Sequence, residues 1–383
     1  MAHDALPLAG YRVIEIGHSV AAPYAALILA ELGAEVIKVE RPGTGDDARA
    51  WGPPFIDGMS AVFHALNRLK RSVTLDLKSA EGVATLKRLA RVSDVVIQNL
   101  KPGLAEALGV GAEALVAENP RLVHASIHAF GKAGPLKHRP GYDPLMQAFG
   151  GLMSVTGHPG QPAVRTGTSI IDMGTGMWVA LAVVTALLRR GETGRGGVID
   201  TSLYETALGW MTYFVAIWSA SGEVPGKAGS GTVMIAPYQA FPTADGELVI
   251  AAGNDSLFGK LAGVMGHAEW ADDARFLSNR LRVANKPALV ALIAAGTTAV
   301  TTAEMAARLD AAGVPNAPVH GIDQVAQHPQ TEAVGMLRGD LAGKLRFFGL
   351  PFSLDGERPG RDEPAPPLGD DNAWLDELLG SGS

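Results

Sequence analysis

An aspartate set among glycines at the start of an apolar helix is the residue in this chain best placed to bond covalently to a substrate. Asp172 stands in SIIDMGTGM, between an apolar run and a long helix predicted over residues 176–190. Aspartate favours helix N-caps, where its carboxylate accepts backbone N–H groups, and that structural role alone would explain it. The same geometry serves a nucleophile. N–H donors and the positive helix end keep the carboxylate ionised, and the neighbouring glycines let a substrate approach. Local sequence does not separate the two roles. Asp143, in RPGYDPLMQA, is a second carboxylate, but it follows a Pro-Gly turn and is expected to fix that loop by local hydrogen bonds. His18 has no carboxylate partner near it in sequence, which favours a satisfied loop histidine over a base.

Three cations, Arg41, Lys78 and Lys101, each follow a predicted strand. In a parallel sheet the carboxyl ends of the strands share one edge, where open α/β folds bind ligands, so these cations could converge on phosphates. On position alone, solvated surface charge explains them as well. The first strand-to-helix turn reads GHSVAAP, with one glycine where a dinucleotide-binding turn requires three, so NAD binding is disfavoured. Walker-type, HExxH and GxSxG motifs are absent, and the ten histidines show no metal-ligand spacing, so no metal is expected.

The elements that position these residues are those of a parallel sheet wrapped by helices. Strands are predicted over 12–16, 35–39, 72–77, 94–98, 122–127 and 198–202, with helices between them, as around Ala25, Ile28 and Leu32 and over 79–91. Gly33 stops the first of these helices, and Arg189, Arg190 and Gly191 close the long one. The fold expected is α/β, with a Rossmann-like doubly wound parallel sheet in a large domain and a smaller α/β domain after it. The domain boundaries expected are 1–210 for the large domain, 211–231 for a linker or glycine loop, 232–325 for the small domain and 326–383 for a C-terminal segment. SASGEVPGKAGSG, around Ser219–Gly231, supplies the linker, and Gly226, Gly229 and Gly231 are explained by it without any further role.

A chain of 383 residues, 47% hydrophobic and 19% charged, folds throughout into roughly two domains. Its formal charge of −7 and the absence of a long basic run exclude a general nucleic-acid binder. With no cysteine, disulfides, thiolate catalysis and cysteine-held metals are all excluded. The opening MAHDALPLAGYRVIEIG is unlike a signal peptide, and the apolar run 177–188 is shorter than the ~20 residues that cross a bilayer. The expectation is a cytoplasmic protein with no membrane partner, in which that run is a buried helix.

Four segments carry a family resemblance. VIKVERPGTGDDARAWGPP, NRLKRSVTLDLK, PGYDPLMQAFGGLMSVTG and TGRGGVIDTSLYETAL resemble the family III CoA-transferases of the CaiB/BaiF type, the group of formyl-CoA, carnitine and related transferases. The resemblance is strongest over residues 11–210 and weaker in IAPYQAF and PAPPLG. It implies that Asp172, the aspartate of a D-x-x-x-G-M segment, is the catalytic carboxylate. It also implies that Val20 and Ala21 form a turn contacting CoA, that Arg41 and the stretch Leu75–Lys78 embrace its nucleotide, and that Asn99, Leu100 and Lys101 contact CoA. Gly229 and Gly231 loosely echo a glycine-rich substrate loop. Ala107 and Val20 stand where the formyl-CoA branch has arginine and glutamine, which argues against the oxalate/formate pair.

What the resemblance implies about function follows from these positions. The chain is expected to move CoA from an acyl-CoA to a free, small and possibly dicarboxylic acid, through an aspartyl mixed anhydride and an aspartyl-CoA thioester, with CoA as substrate and no tightly bound cofactor. An interlocked homodimer is implied, with the C-terminal segment returning to the large domain. The same fold includes 2-methylacyl-CoA racemases, where a histidine stands at the position of Tyr142; a tyrosine with pKa ~10 exchanges protons poorly near neutrality. Racemisation is therefore the alternative, beside a non-catalytic acyl-CoA-binding protein.

Overall fold

The computed structural model describes residues 6–340 and 344–380, which fall into two compact units. The first holds residues up to 152, 166–216 and 329 onward, and the second holds Met153–Arg165 and Ile217–His328. These divisions differ from the expected 1–210, 211–231, 232–325 and 326–383, because residues 153–165 join the second unit. Much of the expected linker is helix, over Thr212–Ser221. The aromatic and aliphatic side chains of TYFVAIWSAS suit a helix, and the glycines that suggested a loop come only after it.

Six parallel strands build the main sheet of the first unit. They are β1 (Arg12–Ile16), β2 (Glu35–Glu40), β3 (Lys70–Thr74), β4 (Val95–Gln98), β5 (Val123–His128) and β6 (Gly197–Ser202). Their order is β3-β2-β1-β4-β5-β6, every neighbouring pair parallel. A sheet buried on both faces requires apolar side chains on both, and each strand divides its residues accordingly. Val13, Val36, Val95, Ile97, Val123 and Ala125 pack on one face against helix α1 (Ala21–Glu31) and a long helix over Ile170–Thr193. Ile14, Ile37, Val39, Val73 and Val96 pack on the other face against Leu86, Leu89 and Ala90 of helix α2 (Ala80–Arg91). The doubly wound expectation for this sheet is met. β3 is displaced by two residues or so from the predicted strand, which leaves Leu75 and Lys78 beyond its carboxyl end.

Two further helices matter for the site: α3 (Asp143–Phe149), and the long helix, here α4 (Ile170–Thr193). α4 starts six residues before the predicted position 176, so Asp172 lies within its first turn. Gly174 and Gly176, of a residue type that weakens helices, are required by packing. A Cβ on Gly176 would sit 2.8 Å from the Ala21 carbonyl oxygen and 3.1 Å from the Ala25 nitrogen, both on α1. One on Gly174 would meet the Trp210 ring at 2.8 Å. α4 is long and apolar enough by length and composition to span a membrane, but half of it is buried in this fold. Met177, Leu181 and Leu188 are exposed on its other side, so the run expected to be buried is buried on one face only.

The second unit is built on a three-stranded antiparallel sheet of β7 (Tyr238–Pro242), β8 (Glu247–Ala251) and β9 (Asn316–Pro318), ordered β9-β8-β7. Phe241, Leu248, Ile250, Phe258, Phe276 and Ile293 form its core. The fully buried guanidinium of Arg282 donates to the carbonyls of Ala236, Phe276 and Gly253.

The close seat of α4 on α1 predicts an asymmetry between glycines of one helix. Gly176→Ala should cost ~1–3 kcal/mol through overpacking against backbone. Gly191→Ala, where nothing lies within 4 Å, should be neutral or stabilising. Denaturant midpoints of the two variants check this, and equal midpoints would show that α4 does not need its close approach.

Candidate active site

The sheet order reverses direction between β1 and β4, and the loops leaving these two strands diverge there to open a crevice. Reciprocal hydrogen bonds latch the two loops together. The His18 N–H donates to Asn99 Oδ1 at 3.0 Å, and Asn99 Nδ2 donates to the His18 carbonyl at 2.9 Å. The crevice is lined by His18, Ser19, Val20 and Ala21 after β1, by Asn99, Leu100 and Lys101 after β4, and by His128, Tyr142 and Asp172. Seven sequence-predicted site residues therefore share one cleft: Val20, Ala21, Asn99, Leu100, Lys101, Tyr142 and Asp172.

Asp172 reaches this cleft because of Gly176. The two residues are one helical turn apart on α4, so the place where Gly176 touches α1 brings Asp172 beside the turn that opens α1. The capping role considered for Asp172 falls to Asp143. Ser169, the N-cap residue of α4, makes no side-chain cap bond. Asp143 Oδ2 accepts the N–H of Ile171 at 2.8 Å and that of Asp172 at 3.2 Å, and its Oδ1 accepts Gln147 Nε2 at 2.5 Å. Gln147 Oε1 in turn accepts the N–H of Thr166 at 2.9 Å. Asp143 is thus fully buried and bonded across 28 residues as well as to Gln147, beyond the local loop bonding that its Pro-Gly context suggests.

This division of hydrogen bonds sets the chemistry of Asp172. Its half-buried carboxylate accepts no hydrogen bond from the described residues, since the first-turn N–H groups serve Asp143. Burial, with the negative charge of Asp143 added, pushes Asp172 up from its ordinary 3.8 to about 7. The expectation that the helix start keeps it readily ionised is corrected here: the donors it would need are already taken. A carboxylate with raised proton affinity and unsolvated lone pairs is a better nucleophile than an ordinary one, provided it is deprotonated.

Arg41, Leu75 and Lys78 do not line this cleft. Arg41 is exposed just beyond β2, paired with Asp47 at 2.5 Å and donating to the Gly45 carbonyl at 3.1 Å. Leu75 is half-buried on the second sheet face, and Lys78 is exposed at the start of the loop before α2. Both follow the carboxyl end of β3, so with Lys101 after β4 the three cations do share one sheet edge. Gly229 and Gly231 belong to the second unit. There the Gly229 N–H donates to the Gly157 carbonyl at 2.9 Å, and Lys227 Nζ donates to the carbonyls of Gln161 and Pro162. His18 bonds Ser19 Oγ at 3.1 Å, and burial lowers its pKa, so it enters the cleft as a neutral ring.

Sequence reasoning missed His128. It ends β5, at the same carboxyl edge as the cations, and its Nε2 lies 3.1 Å from Asp200 Oδ1, while Lys132 holds Asp200 Oδ2 at 2.7 Å. The strand-end rule that singled out Arg41, Lys78 and Lys101 points to it as well. Also missed was a buried set of charges behind the first turn, Glu15, Lys38, Lys70 and Asp46. Its signal was a charge in the middle of an otherwise apolar strand, which must find a partner inside a two-faced sheet.

The raised pKa of Asp172 has a consequence for stability. The folded state keeps a proton that the unfolded chain releases near 3.8, so above pH 7 folding carries the burden of an ionised, poorly solvated group. Asp172→Asn should therefore unfold at a higher temperature than the natural protein at pH 8, and that advantage should shrink as pH falls from 7 towards 4. Thermal unfolding across this range checks it, and a pH-independent difference would contradict the raised pKa.

A family model described as CoA-transferase family III matches residues 8–372. A succinate–glutarate CoA-transferase of Agrobacterium fabrum is 37% identical over 380 residues, covering 96% of this chain and 94% of that protein. An acetyl-CoA:oxalate CoA-transferase of Acetobacter aceti is also 37% identical, covering 96% of this chain and 95% of that protein. Among solved structures, a CAIB/BAIF family protein from Brucella suis superposes with a TM-score of 0.90 at 38% identity, over 98% of this chain and 99% of that one.

Proposed function

The chain belongs to CoA-transferase family III and is a CoA-transferase, and from that premise we propose that it exchanges CoA between an acyl-CoA and a small dicarboxylic acid through covalent intermediates on Asp172. The dicarboxylates in the names of its relatives support the acceptor class. So does the cleft, which offers Lys101 and His128 to a second carboxylate. The observation that carries the proposal is the Asp172 carboxylate, which accepts no hydrogen bond from the described residues, in the cleft formed by the turn after β1 and the loop after β4.

The steps follow from carboxylate and thioester chemistry. An Asp172 oxygen attacks the thioester carbon of the donor and expels CoA thiolate, leaving an aspartyl mixed anhydride. The thiolate attacks the aspartyl carbonyl, which releases the donor acid and leaves an aspartyl-CoA thioester. The acceptor carboxylate attacks that thioester and expels the thiolate again, giving a second anhydride. Thiolate attack on the acceptor's carbonyl then gives the new acyl-CoA and restores the Asp172 carboxylate. The thiolate leaves without a proton, so no step requires a general base, in keeping with a neutral His18 and with Tyr142 at the racemase histidine position.

A homodimer completes the proposal. Met177, Leu181 and Leu188, from 52% to 72% exposed along one side of α4, are the face we assign to the second copy. A solution mass equal to one chain would exclude it.

Asp172→Ala should abolish exchange between succinyl-CoA and glutarate while retaining CoA binding. Hydroxylamine added during turnover should mark Asp172 as the hydroxamate. In the natural protein kcat/KM should fall as pH drops through about 7, the pKa of Asp172. A substantially active Asp172→Ala protein, or solvent deuterium entering C2 of a branched acyl-CoA without an acceptor acid, would overturn the proposal.

A further inference from the structure

Four charged side chains are buried between the main sheet and the start of α1, and none of them enters the chemistry above. Glu15 on β1, Lys38 on β2 and Lys70 on β3 come from three adjacent strands, and Asp46 lies in the loop after β2. Lys38 Nζ lies 2.7 Å from Glu15 Oε1 and 2.9 Å from Asp46 Oδ2, the second an ion pair without hydrogen-bond alignment. Lys70 Nζ lies 2.7 Å from Glu15 Oε2 and 3.0 Å from Asn67 Oδ1. The side chains of Glu15, Lys38 and Lys70 are 0% exposed and that of Asp46 is 1% exposed. Two cations and two anions balance, as burial at this depth requires.

Apolar residues of similar size would often fill such a space with equal or greater stability, so stability alone is a weak reason for the quartet. Its remaining bonds give a better one, because three of its four members, Lys38, Asp46 and Lys70, reach the same turn. Lys38 Nζ donates to the Gly17 carbonyl at 3.0 Å. Asp46 Oδ1 accepts the Ser19 N–H at 3.1 Å, and Lys70 Nζ donates to the Pro23 carbonyl at 2.9 Å. Ser19 is held at φ 69°, a left-handed conformation that a non-glycine residue keeps only when its surroundings impose it. With the turn fixed in this shape, the N–H groups of Val20, Ala21 and Ala22 have no acceptor among the described residues, and Val20 and Ala21 line the cleft.

We propose that Glu15, Lys38, Lys70 and Asp46 are positioning residues for acyl-CoA binding, holding the turn Gly17–Pro23 in the shape that presents its backbone to the thioester substrate. The proposal rests on the reading of the cleft as the CoA site. The quartet touches no reacting atom and acts through the turn. Each lysine is a tether between the sheet and one carbonyl, and Glu15 links the two tethers so that the ends of the turn are fixed relative to each other.

The test uses charge-balanced pairs, because removing one member alone leaves an uncompensated buried charge and threatens folding. Lys38→Met with Asp46→Asn removes the tether to Gly17, and Glu15→Gln with Lys70→Met removes the tether to Pro23. Calorimetric titration with CoA, thermal unfolding and steady-state exchange are measured on both pairs and on the natural protein. We expect the dissociation constant for CoA and the KM for succinyl-CoA to rise about tenfold in each pair, the scale of losing a positioned contact, with kcat changed less than threefold. This split should appear in whichever pair retains its melting temperature. A pair that melts as the natural protein does and binds CoA equally well would overturn the positioning role and leave the function standing. Failure of the natural protein to bind CoA would instead remove the cleft assignment and this inference with it.

Discussion

One helix start has too few N–H groups for two carboxylates, and the active cleft depends on how they are shared. Asp143 comes from α3, is fully buried, and takes the N–H groups of Ile171 and Asp172 together with the side-chain amide of Gln147. Asp172, in the turn that supplies those groups, receives none, and its proton affinity rises to about 7 through burial and the adjacent charge. A better-solvated aspartate would be ionised at lower pH and would attack a thioester less readily. Asp143 thus fixes the helix in place and raises the basicity of its neighbour by the same set of contacts.

The rest of the first unit sets where that carboxylate stands. The strand order β3-β2-β1-β4-β5-β6 makes the crevice, and the His18–Asn99 latch joins the loops on its two sides. Gly176 lets α4 approach the backbone of α1 more closely than any side chain would allow, and Asp172 stands one turn from that contact. A D-x-x-x-G-M segment is therefore intelligible as packing as well as chemistry. Its aspartate acts, and its glycine determines how far that aspartate lies from the turn after β1.

The elements were legible in the sequence wherever their signal was local. Apolar strands separated by helical periodicity gave the six parallel strands, and Asp172 was conspicuous by its glycines. What could not be read depended on partners distant in sequence. Asp143 looked like a loop residue because its partners on α4 lie 28 and 29 residues away. The pairing of Lys38 and Lys70 with Glu15 becomes visible only once β1, β2 and β3 are known to be neighbours. Gly174 and Gly176 concealed the first turn of α4, since their local preference opposes a helix while their packing demands one. The glycines that follow the apolar TYFVAIWSAS obscure its helix, because their flexibility dominates the local signal. His128 ends its strand at the same edge as Arg41, Lys78 and Lys101 but lacks the fixed positive charge that makes those residues conspicuous.

The central claim is that an Asp172 oxygen bonds to the substrate's carbonyl carbon, and isotope transfer tests it most directly. Unlabelled succinyl-CoA and glutarate carrying 18O in both carboxylates are turned over once, and the peptide containing Asp172 is weighed. In the sequence of steps proposed, one acceptor oxygen stays on Asp172 when the second anhydride is cleaved, so that peptide alone should gain one 18O. An Asp172 peptide without label after a complete turnover, with new glutaryl-CoA formed, would show that CoA moves by a route in which this carboxylate never becomes covalently linked to the substrate.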